Sequence, residues 1–120
     1  MTITRTELPD GCYSITDEWG TCYYNSSDQF HRDGGLPSYE GADGSKHYYV
    51  NGQFHRDGGL PAIEGANGKK HYYVNDQRHN VYGPAYTESN GYCEYWLRGR
   101  RLTEAEWLTH PDVIKAKEIS

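Results

Sequence analysis

Residues 31–54 read HRDGGLPSYEGADGSKHYYVNGQF, and residues 55–78 read HRDGGLPAIEGANGKKHYYVNDQR. Eighteen of the 24 positions are identical, so one unit stands twice in tandem. A more diverged copy, HNVYGPAYTESNGYCEYWLRGRR, follows over 79–101 and is one residue shorter. A degenerate copy over 7–30 precedes them: Gly20, Tyr24, Gln29 and Phe30 stand 24 residues before Gly44, Tyr48, Gln53 and Phe54. A fixed period of this size signals stacked units that bury their apolar sides against one another, with atypical units at the ends. The expected organisation is a repeat domain over 1–101 and a tail over 102–120.

Each unit carries its own turn chemistry. Asp43-Gly44, Asn67-Gly68 and Asn90-Gly91 are hairpin signals, because a type I′ turn needs positive φ at both central residues. Asn51-Gly52, Asn75-Asp76 and Arg98-Gly99 mark a second turn in the same units. The fold class expected is mainly β: an elongated antiparallel meander of hairpin repeats of about 24 residues, closed by a short C-terminal helical cap. A two-residue turn at Asn67-Gly68 places Glu64 opposite His71, Ile63 opposite Tyr72 and Ala62 opposite Tyr73. Alternation then gives a core face of Tyr39, Tyr48, Ile63, Tyr72, Tyr86 and Tyr95. The other, exposed face would carry Glu40 with His47 and Glu64 with His71, beside the aromatic row Tyr49, Tyr73 and Trp96.

The tail departs from the repeat. Thr103-Glu104-Ala105-Glu106 is a capping-box pattern and predicts a helix from about Glu104 to Thr109. Pro111 suits the first turn of a second helix. Two roles are open for this tail: an end cap for the last hairpin, or a docking helix that exposes Trp107 and Leu108 to a partner.

Composition narrows the function classes. Leu, Ile, Val and Phe number only 17 of 120 residues, so an aliphatic core is thin; twelve Tyr and three Trp supply the buried area instead. No apolar run approaches the roughly 20 residues of a membrane span, and the opening MTITRTELPDG lacks a signal-peptide core. A net charge of −5 without a basic stripe argues against nucleic acid. Cys12, Cys22 and Cys93 form no Cys-x-x-Cys pair, which suits reduced thiols and a cytoplasmic setting, although a Cys12–Cys22 bridge stays open.

Over residues 20–101 the pattern NG-(Q)-x-H-x-x-G…NG-x-x-x-x-Y resembles a variant of the MORN repeat. Its His-Arg-x-x-Gly and Pro-Ala features are similar to those of small phage-encoded and bacterial antitoxin-like members. The resemblance implies an elongated, mostly single-layer sheet used for binding, without catalysis of its own.

Catalytic patterns fail on context. His31-Arg32-Asp33 and His55-Arg56-Asp57 spell the opening of a kinase catalytic loop, but the downstream Asn and the Gly-rich loop are missing. The same residues read better as a turn, with Gly34-Gly35 and Gly58-Gly59 supplying positive φ and the aspartates bonding local amides. The recurrent histidines fall strands apart, too far to converge on one ion, so no metal or other cofactor is expected. His47 and His71 are instead expected to pair with Glu40 and Glu64, which would raise their pKa values slightly. The seven serines show no nucleophile elbow.

Binding surfaces remain. The leading expectation is a non-catalytic protein that occludes a partner protein's surface, as a phage- or bacterium-encoded inhibitor of anti-defence or antitoxin type. Its contact residues would be Tyr49, Tyr73, Trp96 and Trp107, since Tyr and Trp dominate interface hot spots. The alternative is a sponge for an anionic nucleotide, held by Arg32, Arg56, Lys46 and Lys70. A structural spacer is the blander third reading.

Overall fold

The computed structural model describes residues 2–118, so residues 1, 119 and 120, at the ends of the two expected segments, lie outside it. The N-terminal half holds β1 (Thr4–Glu7), β2 (Tyr13–Asp17), β3 (Gly20–Tyr24), β4 (Tyr39–Gly41), β5 (Lys46–His47), β6 (Tyr49–Val50) and β7 (Gln53–Phe54). It continues with β8 (Ile63–Glu64), β9 (Lys70–His71), β10 (Tyr73–Val74), β11 (Gln77–Arg78), β12 (Tyr86–Thr87), β13 (Cys93–Leu97) and β14 (Arg100–Leu102). Two helices close it, α1 (Glu104–Leu108) and α2 (Pro111–Glu118). Ten strands form one antiparallel meander in the order β1-β2-β3-β4-β5-β8-β9-β12-β13-β14, and β6-β7 and β10-β11 are separate hairpins beside it. The body measures 50 × 32 × 23 Å. A mainly β meander with a short helical end is the fold the repeat predicts.

The register differs from expectation by one residue. Ile63 stands opposite His71 and Glu64 opposite Lys70. The Asn67-Gly68 turn is a three-residue loop: Gly65 N–H donates to Lys69 O, and Gly68 N–H donates back to Gly65 O. Of its residues only Gly68 has positive φ, +88°, while the Asn67 side chain accepts from Lys69 N–H. This is a turn followed by a left-handed glycine, the usual three-residue hairpin connection. The two-residue turns with positive φ at both positions are the other set, Asn51-Gly52, Asn75-Asp76 and Arg98-Gly99.

That one-residue shift carries one strand of each hairpin through the sheet: Tyr39, Ile63 and Tyr86, expected in the core, lie on the other face beside His47 and His71, while Tyr48, Tyr72 and Tyr95 lie on the core side as expected. One face carries an alternating row of Ser14, Tyr23, Ser38, Tyr48, Ala62, Tyr72, Ala85 and Tyr95 across successive strands. Ser38, Ala62 and Ala85 are fully buried there, and Tyr48 is 6% exposed. The loops that join the repeats fold back over this face: Arg32 lies 3.9 Å over the Tyr23 ring and Arg56 3.8 Å over Tyr48. Each guanidinium also donates to its own loop's proline carbonyl, Pro37 or Pro61. A small residue is needed wherever the loop crosses close to the sheet, which is why Ser or Ala alternates with Tyr. The core therefore lies between the sheet and its own loops, and the opposite face stays open.

The tail seals the last repeat on the loop side. Trp107 is 6% exposed and packs with Leu97 and Val113 against Val81, Tyr95 and Leu102. Its indole N–H donates to Asn80 O at 3.0 Å. The expectation that Trp107 faces a partner is thus overturned; it is core, while Leu108 remains 43% exposed. Position 80 is the Arg32 and Arg56 position one repeat on, and the shorter Asn80 leaves the carbonyl within the indole's reach. The capping box forms as read, with Glu106 N–H donating to Thr103 Oγ1 and Thr103 N–H to Glu106 Oε1.

Candidate functional site

The open face is built from two parallel rows of side chains. The central row, one residue per strand, is Ile15, Cys22, Tyr39, His47, Ile63, His71, Tyr86 and Glu94. The second row is a ladder of rings. Tyr13 stacks on Tyr24 with centroids 5.0 Å apart, Tyr24 on Phe30 at 5.1 Å, and Phe30 on Tyr49 at 4.9 Å. Tyr49 then stacks on Phe54 at 4.2 Å, and Phe54 on Tyr73 at 5.1 Å. Six rings thus run unbroken along the molecule, each in the offset geometry that aromatic quadrupoles favour.

The ladder follows from the second turn of each unit. A two-residue turn at Asn51-Gly52 places Tyr49 opposite Phe54, and Phe30 and Phe54 hold the same position of successive units. At the third such position stands Arg78. Its guanidinium lies 5.6 Å from the Tyr73 ring, 5.5 Å from Trp96 and 5.4 Å from Tyr86, so a cation replaces a ring and carries the row on to Trp96. Arg78 also bonds His71 Nδ1 at 3.1 Å and lies 3.6 Å from Glu94. Glu94 in turn accepts from Trp96 Nε1 and Tyr92 Oη, which hold its carboxyl below the usual range.

Tyr49, Tyr73 and Trp96 thus share one half-buried row on the open face. Trp107 lies apart from them, on the loop side. Tyr13, Tyr24, Phe30, Phe54 and Arg78, which complete the row, are not among the contact residues expected from the sequence. Their signal was the column Phe30-Phe54-Arg78 at a 24-residue spacing, each preceded by Gln.

His47 and His71 do not meet Glu40 and Glu64. They pair in register with Tyr39, Ile63 and Tyr86, and burial pushes both imidazoles below their ordinary pKa; Arg78 and Lys69 push His71 further the same way. The glutamates point to the loop side and pair with the arginines, Arg32–Glu40 at 3.0 Å and Arg56–Glu64 at 2.7 Å. Lys46 and Lys70 are exposed on that same side, Lys46 in register between Glu40 and Glu64 and Lys70 opposite Glu64. Arg32 and Arg56 line a groove of about 260 Å³ between adjacent loops. Both guanidiniums there are already matched by a carboxylate.

A second histidine column braces the stack. His31, His55 and His79 each accept through Nδ1, at 3.0 Å, from the backbone N–H of Asn51, Asn75 and Arg98 in the second turn of the same unit. With Nδ1 accepting, Nε2 carries the proton and donates to Asp33 in the first case and Asp57 in the second, both at 2.8 Å. The His-Arg-Asp triplets therefore brace a unit and join it to the one before: His holds the unit's own second turn, Asp orients the His, and Arg covers a tyrosine of the preceding unit. The aspartates bond their histidines where local amides were expected.

Cys22 lies on the open face and Cys93 on the loop face, and all three cysteines are free thiols. Among the described residues no three His, Cys, Asp or Glu side chains gather to hold an ion, and no helix is long and apolar enough to cross a membrane. Comparison with protein-family models, curated proteins and solved structures finds no match.

Proposed function

We propose that this protein is a non-catalytic binding module that acts by covering a surface of another protein with its open face. The observation that carries the reading is the row from Tyr24 through Phe30, Tyr49, Phe54, Tyr73 and Arg78 to Trp96, half-buried along its length on the open face, with buried Tyr13 closing its end. Rings locked by stacking lose little freedom on binding, so such a row is a preorganised contact surface. Tyr and Trp are also the residue types most enriched among hot spots. The pairing of Arg32 and Arg56 with glutamates favours this over a charge-driven nucleotide site. The MORN-like resemblance of the repeats supplies the setting: a cytoplasmic inhibitor of antitoxin or anti-defence type.

The test compares two double variants in capture from bacterial lysate and in titration of the partner so identified. Tyr73→Ala/Trp96→Ala should weaken binding by about 2 kcal/mol per hot spot, roughly 30-fold each. Lys46→Ala/Lys70→Ala, on the opposite face, should bind as the wild type does. Cooperative thermal unfolding checks that both variants are folded. Equal affinity of the aromatic variant and wild type, or loss confined to the lysine variant, removes the open face from the mechanism.

A further inference from the structure

Among the described residues the sheet ends at β1, a four-residue strand exposed along its whole length and paired on one side only. Which of its backbone groups are unpaired follows from register. Thr4 to Glu7 stand opposite Thr16 to Tyr13, and the ladder continues into a bond from Leu8 N–H to Cys12 O at 2.9 Å. Bonded pairs alternate along an antiparallel ladder, so Leu8, Thr6 and Thr4 face β2. Arg5 and Glu7 therefore point their N–H and C=O groups outward.

We propose that β1 pairs with β1 of a second copy of this chain, joining two ten-stranded sheets into one. The sequence TRTE is self-complementary in a single antiparallel register. Centring the two-fold axis on Thr6 sets Arg5 of each copy opposite Glu7 of the other, twice. Both residues have free backbone groups, so the same register forms two narrow pairs and four backbone hydrogen bonds. Centring on Arg5 or on Glu7 instead puts like charges face to face, which is unfavourable directly across a strand pair. Thr6 meets its twin at a non-bonded position, where side chains approach closest.

The pairing has a defined sidedness. Arg5 lies 3.9 Å over the Tyr13 ring and opposite Ile15, on the open face. Partners directly across an antiparallel pair point the same way, so both ring ladders come to lie on one side of the joined sheet. The contact is a strand edge and not a broad surface, which places it among weak, concentration-dependent interfaces.

Sedimentation equilibrium at concentrations up to about 1 mM tests this. The wild type should approach twice the 13.7 kDa chain mass. Arg5→Glu and Glu7→Arg should each stay at the single-chain mass, because each places like charges across the axis. An equimolar mixture of the two should dimerise again, since the carboxylates of one variant oppose the guanidiniums of the other; this also shows that both are folded. Thr6→Cys should cross-link to its twin on mild oxidation, located by mass spectrometry of the joined peptide. A wild type that stays monomeric to about 1 mM, single variants that dimerise unchanged, or a mixture that does not associate each overturns the proposal.

Discussion

His79 accepts a backbone hydrogen bond from Arg98 at the turn that follows it, and its imidazole is held below its ordinary pKa of 6.5, first by burial and then by the Arg98 charge. His47 and His71 are lowered as well, chiefly by burial. A lowered pKa in the fold means that the unfolded chain binds more protons between that value and 6.5. Stability contributed by these groups is therefore fully present above 6.5 and is lost as pH falls through 6.5 toward the lowered values. Thermal midpoints measured between about pH 7.5 and about pH 5.5 should fall on acidification. His79→Asn, which keeps an acceptor but cannot take up the proton, should lose less over the same interval. A midpoint that rises on acidification, or an equal loss in the variant, contradicts this account. The repeat made these histidine columns visible in the sequence, but their partners were not. Assigning His71 to Glu64 depended on a turn one residue shorter than the one Gly65 and Lys69 close, and a single residue of register moves a side chain through the sheet.

The elements divide the labour between two turn types that look alike in sequence. Asn-Gly at 67–68 closes three residues with only the glycine left-handed, whereas Asn-Gly at 51–52 closes two with both left-handed. The dipeptide is the same; what differs is what lies beyond the turn. After Gly68 the chain enters the meander and its bonds to Gly65, and at 51–52 the turn is held by His31 and by Phe30 O. Tertiary contacts choose the loop, so the dipeptide announces a hairpin without fixing its register. The C-terminal helix was legible through its capping box, because that signal is local. The burial of Trp107 was not, because it depends on Asn80, 27 residues away, standing where earlier units have Arg. Trp107→Ala should cost about 3–5 kcal/mol in urea unfolding. Leu108→Ala, at a 43% exposed position, should cost under about 1 kcal/mol. Similar losses at the two sites would mean that the tail does not seal the last repeat.

For the whole molecule, stability is spread over like units, each braced by a histidine to its own second turn and joined to the one before by an arginine over a tyrosine and a pair of stacked rings. An architecture of this kind adds length and stability together, because each unit contacts only its neighbours. Inserting a second copy of 55–78 after Arg78 should lengthen the 50 Å axis by about 10 Å, two strand spacings, and raise the urea midpoint. Small-angle scattering and unfolding measure both, and an unchanged length or a lower midpoint argues against independent units. The ring ladder has one more consequence, an optical one. The tyrosines of the row follow one another either directly, as Tyr13 and Tyr24 do at 5.0 Å, or across a single phenylalanine ring stacked 4.2–5.1 Å from each, and the row leads past Arg78 to an indole that absorbs at lower energy. Light absorbed by these tyrosines should reach Trp96 and leave as indole fluorescence, and phenolic emission should rise as repeats open: the chain carries its own label for the integrity of its stack.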